Sequence, residues 1–331
     1  MKIHPTPPGA VALAIDLGGT KVDAALVSSD GGIVSGSEAR ASTGATSTRA
    51  QIEGAIDRVA ASALSALPQD AALVGVGVGS AGPVDLVHGA VSPKNLPSLR
   101  GFPFIEHLGR MLPGTPAVVR LDGTCIALAE NWLGATRGAS HSMAMIVSTG
   151  VGGGIILHDR LISGRSGNAG HIGQVQIATR EEGTSADDAT LERIASGPSS
   201  VAWARARGWS GTSGEDLAAD AARGDPVARA AVVRSATAVG QAIASTTTLL
   251  DLEVVAVGGG FTGVSPDYLD LVRDAVAESM VLGYAADVTV AGSTLGGSGP
   301  ILGAAALIHR PEALGAAPQA RNTPRRRSLV P

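Results

Sequence analysis

Apolar residues in this chain fall in short runs, and most of those runs end on glycine. Val11-Ala-Leu-Ala-Ile-Asp16 reads as a buried strand running into Leu17-Gly-Gly-Thr-Lys21, a tight glycine turn. Residues 22–27 and 33–37 read as two more strands, joined across Ser28-Ser-Asp-Gly-Gly32, which has hairpin composition. Over residues 51–67 the positions Ile52, Ala55, Ile56, Val59, Ala60, Ala63 and Leu64 recur at helical spacing, and Pro68 stops the helix. Residues 73–78 form the next buried strand, ending at Gly79-Ser-Ala-Gly-Pro-Val-Asp85.

The same grammar then starts again. Residues 117–121 predict a short strand, 124–133 a helix and 143–148 a strand, after which Thr149-Gly-Val-Gly-Gly-Gly154 forms a second glycine turn before a strand over 155–158. An alanine-rich helix over 227–250, a strand over 254–257, a third turn at Gly258-Gly-Gly260 and a helix over 267–280 complete the cycle. A doubled pattern predicts two similar lobes around a cleft bracketed by glycine turns. The expected division is 11–120 and 121–298, with a helix at 299–309 returning to the first lobe. The pattern dissolves afterwards, so 310–331, which ends Arg325-Arg-Arg-Ser-Leu-Val-Pro331, is expected to be a disordered tail.

Composition narrows the function classes. With 331 residues, 44% hydrophobic and 16% charged, the chain can bury two globular cores. Its 45 glycines have no collagen-like period, which suits phosphates gripped by main-chain amides. A net charge of −4 and 2% aromatics argue against nucleic acid, which needs a basic face or stacking platforms. A small-molecule substrate fits better. The single cysteine, Cys125, leaves no intrachain disulfide and no cysteine-rich zinc site, and it reads as a packing residue. No apolar run approaches a membrane span, and residues 1–9 carry prolines where a signal peptide carries its apolar core. The expected location is the cytoplasm.

The first turn carries candidate chemistry. A strand ending in Asp16 and running into Gly18, Gly19, Thr20 and Lys21 offers a phosphate a nest of amides, a hydroxyl and an ammonium, with Asp16 placed for a hydrated Mg²⁺. The alternative is a plain hairpin turn. The Walker spacing Gly-x-x-x-x-Gly-Lys-Ser/Thr occurs nowhere in the chain. Gly77-Val-Gly-Ser-Ala-Gly82 matches a dinucleotide-binding fingerprint letter for letter, but Pro83 and Val84 follow where a helix should open, so it is set aside.

Eight segments then fall in a recognisable order: Asp16-Leu-Gly-Gly-Thr-Lys21, Gly79-Ser-Ala-Gly-Pro-Val-Asp85, Asn95-Leu-Pro, the Asp122 segment ending Ala127-Leu-Ala-Glu130, Thr149-Gly-Val-Gly-Gly-Gly154, Gly167-Asn-Ala-Gly170, Leu191-Glu-Arg-Ile-Ala-Ser-Gly197 and Val257-Gly-Gly-Gly260. In that order and spacing, over residues 11–309, the chain resembles the ROK family of bacterial glucokinases, other sugar kinases and sugar-responsive repressors. The resemblance implies a two-lobed actin-like (ribonuclease H-like) α/β ATPase fold, its mixed sheets flanked by helices. It also implies ATP held mainly by the second lobe, sugar at the hinge, Mg²⁺ and a homodimer. By the same resemblance Gly18, Gly19, Thr20 and Lys21 approach the phosphates, Thr149 and Gly150 form a second phosphate turn, and Gly258 and Gly259 line the adenosine site. Asp122 becomes the catalytic base, accepting the proton of a sugar hydroxyl as its oxygen attacks the γ-phosphorus. Its alternative role is a helix N-cap.

Departures from the family pattern cluster around the sugar. The usual Asn-Asp is Leu121-Asp122 here, and the usual Gly-Glu-x-Gly-His is Gly170-His-Ile-Gly-Gln174. Gln174 replaces a zinc-ligand histidine, and 178–190 lacks the three expected cysteines, so no structural zinc is expected; Arg180-Glu-Glu and Asp187-Asp188 are candidates to order that loop by ion pairs. Gly79, Asn95, Asp122, His171, Gln174 and Glu192 are the expected substrate contacts, His171 alternatively being a structural histidine at a turn. The expected reaction is ATP-dependent phosphorylation of the primary alcohol of a hexose or hexose-like substrate. A kinase for a C7-cyclitol or modified sugar, and a sugar-binding protein without turnover, stay open. Direct DNA repression is not expected, since only about ten residues precede Val11.

Overall fold

Large and small apolar residues alternate along the first strand, and that alternation decides what packs on each face. The computed structural model describes residues 9–178, 183 and 185–315. Strand β1 (Ala10–Leu17) turns Val11, Leu13, Ile15 and Leu17 toward one core and Ala12 and Ala14 toward another. It pairs antiparallel with β2 (Lys21–Ser28), which pairs antiparallel with β3 (Ala39–Ser42). Helix α1 (Arg49–Ser65) starts in a Thr48–Gln51 capping box and lays Ile52, Ile56 and Val59 on the large-residue face. Parallel strand β4 (Ala72–Ser80), the small hairpin β5 (Val84–Asp85) and β6 (Ala90–Val91), helix α2 (Phe104–Met111) and parallel strand β7 (Ala117–Leu121) complete the first half, with sheet order β3-β2-β1-β4-β7.

Helix α3 (Asp122–Leu133) crosses to the second half. There β8 (Ser142–Val147), β9 (Val151–Leu157) and β10 (Arg160–Leu161) are antiparallel neighbours. Four helices follow: α4 (Leu191–Ala195), α5 (Gly197–Arg205), α6 (Gly214–Ala222) and the long α7 (Pro226–Leu250), which is capped by Asp225 and has proline at its first turn. Strand β11 (Val254–Gly258), helix α8 (Tyr268–Ser279), strand β12 (Thr289–Gly292) and helix α9 (Gly299–His309) end the succession. The second sheet runs β10-β9-β8-β11-β12, with β11 parallel to both β8 and β12. It repeats the order and directions of the first.

The repeat extends to residue size. Met143, Met145, Val255 and Val257 face the core that holds α7, while Ala144 and Ala256 face the one that holds α3 and part of α9. Helices α3 and α9 therefore lie between the small-residue faces of the two sheets and pack closely on each other. Glycine makes the approach possible. A Cβ on Gly77 would stand 1.8 Å from the Ala304 carbonyl oxygen, and one on Gly154 would stand 2.7 Å from the Gly123 carbonyl oxygen. Two of the fingerprint glycines set aside in the sequence, Gly77 and Gly79, thus lie inside β4 and make room for α9 and α3.

Three expected elements are redrawn. No strand covers 33–37; Ile33 makes a single bridge to Val27, Gly36 turns the chain at φ 76°, and the Ser37 hydroxyl accepts the Leu26 N–H at 3.0 Å, so the third strand waits until Ala39. The second glycine turn is shorter than the run of glycines, because Val151 and Gly152–Gly154 already belong to β9 under helix α3. The chain also stays ordered past 309 in a short 3-10 turn, Pro311–Leu314, with Ala313 buried beside Leu161. The rest of the expected tail, 316–331, lies outside the described residues, as does Arg180-Glu-Glu.

Candidate active site

Asp122 is positioned by the switch from strand to helix. β7 ends at Leu121, which is the N-cap, so Asp122 is the first helical residue and not the cap itself. Its Oδ1 accepts the Gly123 N–H at 2.7 Å, at a helix end whose dipole favours a carboxylate. Burial raises the Asp122 carboxyl above the usual range, partly offset by that N–H and by His171, with Glu192 pushing the same way as burial. A raised pKa suits a general base working near neutral pH.

Asp16 stands on the neighbouring side of the first sheet, at the end of β1, paired in register with Gly79 of β4. A Cβ on Gly79 would lie 3.5 Å from Asp16 Oδ1 and 3.2 Å from Cys125 Sγ, so glycine there leaves room for the carboxylate. Burial, and then the charges of Asp122 and Asp23, push Asp16 up to about 7, against the pull of Lys21. Two carboxylates therefore face the same space. Such a pair fits a hydrated divalent cation on Asp16, whereas among the described residues no set of three histidine, cysteine or acidic side chains forms a protein cage.

The first glycine turn closes on itself through the Gly18 N–H to Lys21 carbonyl bond at 3.0 Å, and the Thr43 hydroxyl donates to the Gly18 carbonyl at 3.2 Å. Asn95 flanks it, since a Cβ on Gly19 would lie 3.0 Å from Asn95 Cβ. Thr20 is exposed, and Lys21 directs its Nζ to Asp23 at 3.1 Å. In this arrangement Lys21 is ion-paired within its own strand.

In the second half, Glu192 at the start of α4 braces the turn after β8. Its Oε2 accepts the Val151 N–H at 2.9 Å and its Oε1 accepts from Gln174 Nε2 at 3.2 Å. Thr149 is exposed beside Gly150, where a Cβ would strike Glu192 Oε2 at 2.7 Å. Gly258 and Gly259 join this group through β8: Gly259 adopts φ 102°, and a Cβ on it would stand 2.4 Å from the Val147 carbonyl oxygen. Both turns sit at the carboxyl ends of parallel strands, the edge at which open α/β sheets bind ligands.

Contacts between the halves converge on the loop after β10. Asn168 makes a two-point contact with the Val84 backbone, its Oδ1 accepting the N–H and its Nδ2 donating to the carbonyl, both at 2.8 Å. His171 is exposed, and its ring would meet a Cβ on Gly82 at 3.0 Å, the other side of which is closed by Leu121. The loop has the ion pairs Lys94–Asp187 at 3.7 Å and Arg193–Asp188 at 3.6 Å. Asp16, Gly79, Asp122, His171, Gln174, Glu192 and Gly150 thus form one connected group, with Gly19 and Asn95 at its edge. Sequence reasoning missed Asn168 and Gly82 as organisers, although both lie inside motifs that it singled out; the signal was a carboxamide within Gly167-Asn-Ala-Gly170.

The ROK family profile matches residues 12–311. The chain is 34% identical to N-acetylmannosamine kinase of Escherichia coli O157:H7 over 269 residues, covering 80% of this chain and 88% of that protein. It is 29% identical to glucokinase of Thermotoga maritima over 315 residues, covering 89% and 96%. Among solved structures, a ROK family glucokinase from Streptomyces griseus in complex with glucose and AMPPNP superimposes with a TM-score of 0.77 at 27% identity, covering 91% of this chain and 99% of that one.

Proposed function

The chain belongs to the ROK family, and from that premise we propose that it is an ATP-dependent sugar kinase that phosphorylates a hydroxyl, the primary alcohol by preference, of a hexose or N-acylhexosamine. Relatives named as glucokinases and N-acetylmannosamine kinases support the substrate class. The observation that carries the reading is Asp122 at the N-terminus of α3, a carboxylate raised by burial, beside Asp16 and facing the His171–Glu192 side of the cleft.

In this mechanism Asp122 takes the proton from the acceptor hydroxyl as its oxygen bonds to the γ-phosphorus and the bond from that phosphorus to the β,γ-bridging oxygen breaks, so that ADP leaves with the bridging oxygen. The amides of Gly19 and Gly150 and the hydroxyls of Thr20 and Thr149 hold the phosphates beside Gly18, whose own N–H is engaged by the Lys21 carbonyl, with Lys21 leaving Asp23 to join them. Gly258 and Gly259 receive the adenosine. Mg²⁺ held through water by Asp16 would neutralise charge on the polyphosphate. Gly79, Asn95, His171, Gln174 and Glu192 orient the sugar, and closure of 11–120 on 121–298 excludes water, which keeps ATP hydrolysis from competing. A homodimer and a cytoplasmic location belong to the same proposal and rest on kinship.

Coupled ADP release across hexoses, N-acylhexosamines and C7-cyclitols tests the reading. The expected result is sugar-dependent ADP release. If ligands bind while none of them raises ADP release, the chain is a binding protein and the kinase reading falls.

A further inference from the structure

Glu130 is a buried carboxylate that the proposed chemistry does not use. It lies on α3 eight residues after Asp122, is 1% exposed, and has no cationic partner among the described residues. A carboxylate in such a place needs other donors. Its Oε2 accepts the Ala135 N–H at 2.7 Å, beside Gly134, where a Cβ would stand 2.1 Å from that oxygen. Its Oε1 accepts the Ser293 hydroxyl.

Ser293 is the residue that connects this to the far edge of the second sheet. It follows β12 directly, donates its N–H to the Val257 carbonyl at 2.9 Å, and its Cβ lies 2.6 Å from where a Gly258 Cβ would be. Gly258 leads into Gly259, the turn assigned above to adenosine. One end of α3 thus carries Asp122, while a point about 12 Å along the same rigid helix is bonded to the residue packed on Gly258. The link also begins the segment that leads into α9, where a Cβ on Gly303 would lie 2.0 Å from the Cys125 carbonyl oxygen, so α3 has no slack against its neighbour.

We propose that Glu130 is a positioning residue: through Ser293 it couples the adenosine turn to helix α3, so that seating the nucleotide fixes the axial position of Asp122. The inference rests on the kinase reading. It adds to it a residue that touches neither substrate and a direction of coupling, from nucleotide to acceptor site.

The test uses Ser293→Ala, Glu130→Ala, Glu130→Gln and the double alanine variant of the full chain, with AMPPNP binding measured by titration alongside steady-state kinetics. Ser293→Ala, which removes only a hydroxyl, is expected to raise KM for ATP and the AMPPNP Kd by about three- to thirty-fold and to lower kcat, with sugar Kd unmoved. The double variant is expected to be no worse than the more severe single one, because one bridge is cut twice. Glu130→Gln can still accept from Ala135 and donate to the serine hydroxyl, so it restores most of what Glu130→Ala loses. Should Glu130→Ala fail to fold, Ser293→Ala carries the test alone. Unchanged ATP parameters in Ser293→Ala, or fully additive losses in the double variant, overturn the coupling. A wild-type chain that does not bind AMPPNP overturns the kinase reading instead.

Discussion

The two sheets share one topology and differ in what stands at their carboxyl ends. In the first, β1 carries Asp16 as its penultimate residue and β7 is followed by Asp122; in the second, β8 is followed by Ser148 and β12 by Ser293. The ends of corresponding strands therefore carry carboxylates on one side and hydroxyls on the other. Helices α3 and α9, which follow the equivalent strands β7 and β12, pack on each other between the sheets. In the proposed reaction the repeated scaffold carries different chemistry at its two ends: the first supplies the proton acceptor as well as one phosphate turn, the second the other phosphate turn and the adenosine site. The second end borrows its close carboxylates from helices, Glu192 from α4 and Glu130 from α3.

The sharpest way to test that division is to neutralise its acidic member. Asp122→Asn keeps the helix-terminal geometry and removes the proton acceptor, so turnover is expected to fall on the order of 10² to 10⁴-fold with sugar binding still measurable. Near-normal turnover in a steady-state assay would place the base elsewhere and dissolve the asymmetry. Next in size is a paired glycine substitution. Gly259→Ala forces a side chain onto φ 102° and against the Val147 carbonyl, and is expected to cost about 1 to 3 kcal/mol in a denaturant melt. Gly19→Ala meets only the Asn95 side chain at 3.0 Å, so its loss of stability should be smaller and its effect should appear in ATP-dependent turnover. Equal melts for the two would show that the turns do not differ in how tightly they are built into the fold.

Asp16 gives the comparison a pH dependence. Its folded carboxyl is pushed up to about 7, above the ordinary 3.8, first by burial and then by Asp122 and Asp23. In the free chain the unfolded state therefore loses that proton more readily than the folded state. Stability from this group is fully present below about pH 4, falls as pH rises toward 7 and is level above it. Asp16→Asn cannot ionise, so its stability relative to wild type should improve between pH 4 and pH 8 in urea titrations. A constant difference across that range would mean that the carboxyl is not held in its acid form.

Much of this was legible along the chain, and the rest failed for identifiable reasons. The buried strands and the three glycine turns announce themselves because apolar runs ending on glycine have few other uses. Strand β3 did not, since Ala-Arg-Ala-Ser is short, polar on alternate residues and held only by its edge pairing to β2. The glycines of β9 read as loop because what requires them, the close passage of α3, is a non-local contact. Asp122 was singled out by its motif, while the contacts across the cleft, His171 over Gly82 and Asn168 on Val84, depend on two loops more than 80 residues apart meeting there. Pair contacts of that span leave no periodic trace in a single sequence.

Glu192 tests the smallest part of the contrast, whether the borrowed carboxylate only braces the second turn or also meets the sugar. Its two oxygens are each occupied by one protein donor, the Val151 N–H and Gln174 Nε2. Glu192→Gln can keep both bonds, because its amide oxygen still accepts from Val151 and the Gln174 amide can rotate to accept from the new NH₂. A pure brace therefore predicts an unchanged melting temperature together with unchanged kinetics. A carboxylate that also accepts a sugar hydroxyl predicts the same melting temperature with KM for sugar raised about five-fold, corresponding to roughly 1 kcal/mol for one altered hydrogen bond, and KM for ATP unmoved. The second pattern is expected, since each oxygen keeps a further lone pair and Glu192 acts on the charge of Asp122 across the cleft. A rise in KM for ATP instead would assign the residue wholly to the phosphate turn.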